Sequence, residues 1–235
     1  MFISIIIPAY NEEERLKTAF EKLYQYLTGK KYDYEVIIVD DGSTDKTRET
    51  VSESMLAKAG KIIFLQNGKN KGKGFAVKQG ILHSIGEYVL FSDADFSTPI
   101  QEFDKLFDYL KNGYDIAIGS RSVIGSNITV RQPLYREMMG KFFNFLVQIF
   151  VLRGIHDTQC GFKLFSGKCA KSIAQELKID RFGFDVEMLY LAQKKKYKIK
   201  EVPVTWINST ESKVNPIKDS FKMFLELLSI KKLHG

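Results

Sequence analysis

A chain of 235 residues, 44% hydrophobic and 27% charged, fits one large globular domain, or a domain with an appendage, able to bury a real core. The net charge of +7 favours an anionic partner: nucleic acid, a phosphorylated substrate or an anionic membrane. Two cysteines, Cys160 and Cys169, make no disulfide framework and read as buried thiols of a reducing compartment.

The apolar run at 2–7, ended by Pro8, reads as a buried strand and not a signal peptide, because no basic segment precedes it. No stretch reaches the roughly 20 apolar residues that span a bilayer. The expectation is a cytosolic protein, at most peripheral to the cytosolic face of a membrane. Residues 12–28 place Leu16, Ala19, Phe20, Leu23 and Leu27 on one helical face. Asn11 and the acidic residues 12–14 mark its start. A second strand at 35–39 leads into Asp40-Asp41-Gly42-Ser43-Thr44 and a helix predicted to run to about 57. Strands at 61–65, 87–92 and 115–118 then alternate with helices at 74–84 and 99–110. This alternation is the pattern of stacked βαβ units in a mostly parallel sheet. Ligands of such sheets sit beyond the carboxyl ends of the strands, where the polar clusters after positions 7, 39, 92 and 118 converge.

The second half is less regular. A helix is predicted over 135–152, with Glu137, Lys141, Asn144 and Gln148 as a narrow polar stripe on an otherwise apolar surface. It lies in a membrane interface or is buried between layers; both readings stand. Runs at 162–165 and 200–207 read as strands, and 168–177 and 184–195 as helices. A final amphipathic helix spans 217–230. No repeat, low-complexity tract or linker interrupts the chain.

Asp93-Ala-Asp95 carries the sharpest chemical signal. Two carboxylates at i and i+2, leaving a buried strand, can bracket magnesium or manganese, which bind substrate phosphates through one or two carboxylates. The bland alternative is a turn cap. Asp40 or Asp41 can accept from a ribose hydroxyl or base N–H, with helix capping left to Ser43 or Thr44. The stretch Gly68-Lys-Asn-Lys-Gly-Lys-Gly74 fails both the P-loop and the dinucleotide spacing. It reads as a flexible basic loop whose lysines, Lys73 among them, meet a diphosphate. Arg121, Arg131 and Arg136 offer guanidinium forks for phosphate, or simply surface ion pairs.

At these residues the sequence resembles glycosyltransferase family 2, in particular its dolichyl-phosphate β-glucosyltransferase-like, polyprenyl-phosphate branch. Pro8-Ala-Tyr-Asn-Glu-Glu13, Val39-Asp-Asp-Gly-Ser-Thr-Asp45 and Asp93-Ala-Asp95 look like the general signatures. Asn70-Lys-Gly-Lys-Gly74, Asp157-Thr-Gln-Cys-Gly-Phe-Lys-Leu-Phe165, Phe184-Asp-Val-Glu187, Glu201-Val-Pro-Val-Thr-Trp206 and Glu211-Ser-Lys213 look like the branch. The resemblance implies a single GT-A domain over 1–235, Rossmann-like, with a nucleotide-sugar half (1–122) and an acceptor-side half (123–235) bearing membrane-facing helices. It implies UDP-glucose as donor, dolichyl or another polyprenyl phosphate as acceptor, and Mg2+ or Mn2+ as cofactor.

On this resemblance Asp93, Asp95, Arg121 and Arg136 serve the chemistry. Pro8, Ala9, Tyr10, Glu12, Asp40, Asp41, Lys73, Asp93, Arg131, Asp157, Lys163 and Lys213 bind donor or acceptor. Mannosyl relatives carry a metal-ligating glutamine two past the second aspartate; here Ser97 takes that place in the ligand set Asp93, Asp95, Ser97. Eukaryotic glucosyl members carry an N-terminal membrane anchor, whereas this sequence opens on a strand. Attachment is therefore expected from the 135–152 and 217–230 helices or from the lipid acceptor. A dianionic phosphate needs no strong base, in keeping with only three histidines, His83, His156 and His234, expected away from the site. Two alternatives stay open: another donor (GDP-mannose or UDP-GlcNAc) or acceptor (a sugar or diacylglycerol), and a non-catalytic RNA-binding protein. The second is disfavoured because aromatics are not interleaved with the basic clusters.

Overall fold

The structure, a computed structural model, describes residues 1–130, 133–208 and 216–235, without the side chains of 136 and 216–221. Strands β1 (Phe2–Ala9), β2 (Asp33–Asp40), β3 (Ile62–Gln66), β4 (Tyr88–Ser92) and β5 (Ile116–Ser120) alternate with helices α1 (Glu13–Thr28), α2 (Thr47–Glu53), α3 (Met55–Lys58), α4 (Lys73–His83) and α5 (Phe103–Lys111). There follow β6 (Asn127–Val130), α6 (Leu134–Phe150), β7 (Phe162–Ser166), α7 (Gly167–Ala174), α8 (Phe184–Lys194), β8 (Ile199–Pro203), β9 (Thr205–Ile207) and α9 (Pro216–His234).

Seven strands form one sheet in the order β3-β2-β1-β4-β7-β5-β8. Only β7 runs antiparallel to its neighbours; the other pairs are parallel. The central strands are apolar on both faces because both faces are covered. Ile3, Ile5 and Ile7 point to the α1 and α5 side, whereas Ile6 joins Ile37, Val39, Val77, Phe91 and Phe184 beneath α4 and α8. Successive strand side chains alternate between faces, so one run of isoleucines feeds two cores. Each such fully buried side chain contributes about 1.5–3 kcal/mol.

Three elements differ from the sequence expectation. The helix predicted after Asp40-Asp41 begins only at Thr47 and breaks at Ser54, whose extended backbone lets its hydroxyl cap α3 by accepting from Ala57 N. The single strand predicted over 200–207 is two. β8 pairs with β5, and Val204 steps the chain across so that β9 pairs with β6 in a separate ribbon. That ribbon escaped prediction because β6 is only 4 residues long, too short for its polar-apolar alternation to stand out, and every one of them is exposed.

On α6 the polar stripe is split, with Glu137 and Lys141 paired to each other on the exposed side. Asn144 and Gln148 donate to the carbonyls of His156 and Ile155, so they face the protein. Phe143 and Val147 form the buried seam, while Leu134, Tyr135, Met138, Phe142, Phe145, Ile149 and Phe150 are exposed. Leu225 and Leu228 of α9 are exposed as well. Among the described residues no helix is long and apolar enough to cross a membrane.

Candidate active site

The carboxyl ends of β1, β2, β4 and β5 lie along one sheet edge. Because β7 is antiparallel, with Phe162 opposite Ser92, the segment 157–161 enters from that same edge. Asp93, the first residue after β4, donates its backbone N–H to Gly161 O at 2.9 Å. A Cβ at Gly161 would fall 2.0 Å from Asp93 Oδ2. Only glycine leaves the carboxylate its place. Asp95 Oδ1 accepts from Ser97 N at 2.9 Å, so Ser97 orients this carboxylate through its backbone.

Asp93 Oδ1 is buried, and its partner among the described residues is the Lys73 ammonium at 2.6 Å. A carboxylate oxygen with only a cation facing it suits a hard divalent ion. No cluster of three His, Cys, Asp or Glu side chains stands among the described residues to cage a metal. An ion held by two carboxylates alone would leave its remaining positions to phosphate oxygens and water.

Asp40 and Asp41 are not free carboxylates. Asp40, 1% exposed, accepts from Ser43 N and Gln66 Nε2. Asp41, 3% exposed, accepts from Asn67 Nδ2, Lys71 N and Gly72 N. The helix that follows has Lys46 as its N-cap and no side-chain cap, so neither these carboxylates nor Ser43 or Thr44 cap it. Ser43 Oγ instead accepts from Asn11 N and Asn11 Oδ1 from Thr44 N, which ties the ends of β1 and β2 together.

Nor is the glycine-lysine stretch a flexible loop. Asp41 grips it from one side, and Phe75 N donates to Asp180 O on the other. At Gly72, φ is +121° and a Cβ would lie 2.3 Å from Asp180 O; at Gly74 it would lie 2.4 Å from Ile179 O. Held this way, α4 starts with Lys73 aimed at Asp93. Burial would lower the Lys73 ammonium, but the charges of Asp93 and Asp185 outweigh it and hold it above its ordinary value. Lys163 lies beneath the site and does not line it. It is fully buried, bonded to Cys160 O and Asp185 Oδ1, because an inward β7 residue has no route to the surface.

Arg121 is locked. Its Nε and Nη2 donate to the two oxygens of Asp157, and its indole neighbour Trp206 lies 5.4 Å from the guanidinium carbon. Asp157 is positioned in turn, since its N–H donates to Glu201 Oε1. Both Asp157 oxygens are thus engaged by Arg121. His156 adjoins this segment, contrary to expectation, and its Nδ1 lies 2.9 Å from Glu201 Oε2. Burial raises the Cys160 thiol to about 11, which keeps it protonated.

Pro8 and Ala9 end β1, Tyr10 is partly exposed, and Glu12 pairs with Arg15 at 3.2 Å. Arg131 and Lys213, with the side chain of Arg136, lie outside the described residues. Sequence reasoning gave no role to Gly161, Asp185 or Glu201. All three stand inside motifs of the branch, but their partners are distant in the chain.

A family model described as Glycosyl transferase family 2 matches residues 4–173. A dolichyl-phosphate beta-glucosyltransferase of Dictyostelium discoideum is 39% identical over 98% of this chain and 74% of its own length. The Homo sapiens protein of that name is 37% identical over 97% and 74%. Glucosyl-3-phosphoglycerate synthase from Mycobacterium tuberculosis, solved with Mn2+, UDP and phosphoglyceric acid, shares the fold with a TM-score of 0.71 at 16% identity, over 98% of this chain and 77% of that one.

Proposed function

The chain belongs to glycosyl transferase family 2, and from that premise we propose that it moves glucose from UDP-glucose to dolichyl or another polyprenyl phosphate at the cytosolic face of a membrane. The observation that carries this reading is the 157–161 segment. It holds Asp93 at one end, through Gly161, and Arg121 at the other, through Asp157. One segment thus carries both the Asp93 carboxylate and the Arg121 guanidinium, which supports reading them as a diphosphate site and a phosphate-binding group.

Asp93 and Asp95 would hold Mg2+ or Mn2+, which when bound would neutralise the charge developing on the diphosphate leaving group. The acceptor phosphate oxygen bonds to the anomeric carbon as the bond to the diphosphate breaks, inverting that carbon, and UDP leaves with the electron pair. A phosphate monoester is largely dianionic at neutral pH, so no side chain has to remove a proton. Arg121 presents its guanidinium to phosphate, and Arg131, Arg136 and Lys213 are assigned to the same anions. Pro8, Ala9, Tyr10 and Glu12 border the base and ribose, on a frame built by Asp40 and Asp41. The protein's contribution is positioning and charge stabilisation.

The exposed apolar residues of α6 and α9 fit a lipid interface. Their occupant is the bilayer that holds the acceptor, and a net charge of +7 suits an anionic surface. The test is transfer of radiolabelled glucose from UDP-glucose to a short polyprenyl phosphate, with manganese, magnesium or EDTA. Metal-dependent label in the lipid phase is the expected result. Metal-dependent binding of GDP-mannose or UDP-GlcNAc, without such label, overturns the donor assignment.

A further inference from the structure

Lys73 breaks a local rule. It is the first residue of α4, where the helix end is partially positive and anionic side chains are favoured, and no acidic residue shares that turn. Such violations are expected where function overrides stability.

Its surroundings are a string of alternating charge. Asp93 faces Lys73 at 2.6 Å, Asp185 lies within electrostatic reach of Lys73, and Lys163 closes the string on Asp185. Both ammoniums stand 5.5 Å from the Phe91 ring. The Lys163–Asp185 pair cannot move, with side chains 0% and 7% exposed, whereas Lys73 keeps 27% exposure. Its backbone is pinned on both sides, at Gly72 and Phe75, so only its side chain is free to swing. Asp185 pairs with Lys163 instead, through Oδ1.

Asp93 Oδ1 has no free surface. An ion that coordinates this oxygen must take the place Lys73 occupies.

We propose that Lys73 competes with the divalent cation for Asp93, and that the displaced ammonium then binds the donor diphosphate. This deepens the reading of Asp93 and Asp95 as the cation site and rests on it. Lys73 thereby links the two ligands: the cation gives up affinity to evict the ammonium and regains it when the diphosphate arrives. Linkage is reciprocal, so the donor gains by the same factor from the cation. The charge balance agrees. Asp93, Asp95 and Asp185 against Lys73 and Lys163 leave one negative charge, and a divalent cation plus a doubly charged diphosphate leave it unchanged.

The experiment follows free Mn2+ by electron paramagnetic resonance in titrations of the full chain, without nucleotide and with UDP-glucose. Variants are Lys73→Met, with Lys73→Gln should the first not fold, and Asp95→Asn. Removing the competitor should tighten Mn2+ binding without nucleotide by about twofold to fivefold, the scale of one partly exposed ion pair. UDP-glucose should bind more weakly at saturating Mn2+, and the coupling between the two ligands should shrink. Unchanged or weaker Mn2+ binding by the Lys73 variant overturns the proposal, provided Asp95→Asn has lost Mn2+. If Asp95→Asn binds Mn2+ like the unaltered chain, the cation site itself is misassigned and the proposal falls with it.

Discussion

Asp157 grips Arg121 three times, accepting from its backbone N–H, its Nε and its Nη2, each at 2.8 Å. Burial by itself would raise the Asp157 carboxyl, but the charge and hydrogen bonds of Arg121 outweigh it and hold the group below the usual carboxylate range. A depressed carboxylate stabilises the fold above its unfolded-state value, about 4, and loses that contribution as pH falls through the folded value. Asp157→Asn should therefore lower stability at pH 7 by about 1–3 kcal/mol. The gap to the unaltered protein should narrow below about pH 4. Thermal melts from pH 3 to 7 check this, and transfer assays should show a raised KM for the lipid phosphate.

Gly161 matters for what it leaves out. With a Cβ 2.0 Å from Asp93 Oδ2, Gly161→Ala must push the carboxylate aside, since the clash is with the functional group itself. Mn2+ binding should weaken at least about tenfold, with a far smaller effect on melting temperature. Metal titration and a melt on the same sample separate the two.

Asp95→Asn removes a charge but keeps the shape that accepts from Ser97 N. Turnover should fall on the order of 10²–10³-fold, as when one preorganised charge-stabilising group is lost. Full turnover in this variant would remove Asp95 from the ligand set.

On α6, Phe142 and Phe145 are 63% and 57% exposed. Replacing both with serine should reduce co-sedimentation with anionic vesicles and glucose transfer to membrane-held acceptor. Transfer to a short, water-soluble acceptor should not change. Equal loss on both acceptors would assign these rings to the fold.

Glu187, fully buried, accepts from Lys178 N and Ile179 N, with His234 Nε2 at 2.6 Å. Glu187→Ala orphans those donors at about 1–3 kcal/mol each, and melting should drop by roughly 5–15 °C. The loop it braces also bears on Gly72 and Gly74, so UDP-glucose affinity should fall as well. Isothermal titration measures that second effect.

The sequence by itself determined the alternating strands and helices, the edge where their polar ends meet, and the Asp93-Ala-Asp95 pair. These rest on short-range periodicity, which a chain carries whatever its neighbours are. The tertiary structure alone decided that β7 inserts antiparallel between β4 and β5, which brings Gly161 to Asp93 and Asp157 to Arg121. It alone buried Lys163 under the site, bound Asp41 to the glycine-lysine loop, and turned the apolar surface of α6 outward. Each depends on which distant segments pair and which side of an element they cover. Lys163 and Asp185 are 22 positions apart and Arg121 and Asp157 36, and local spacing holds no record of such contacts.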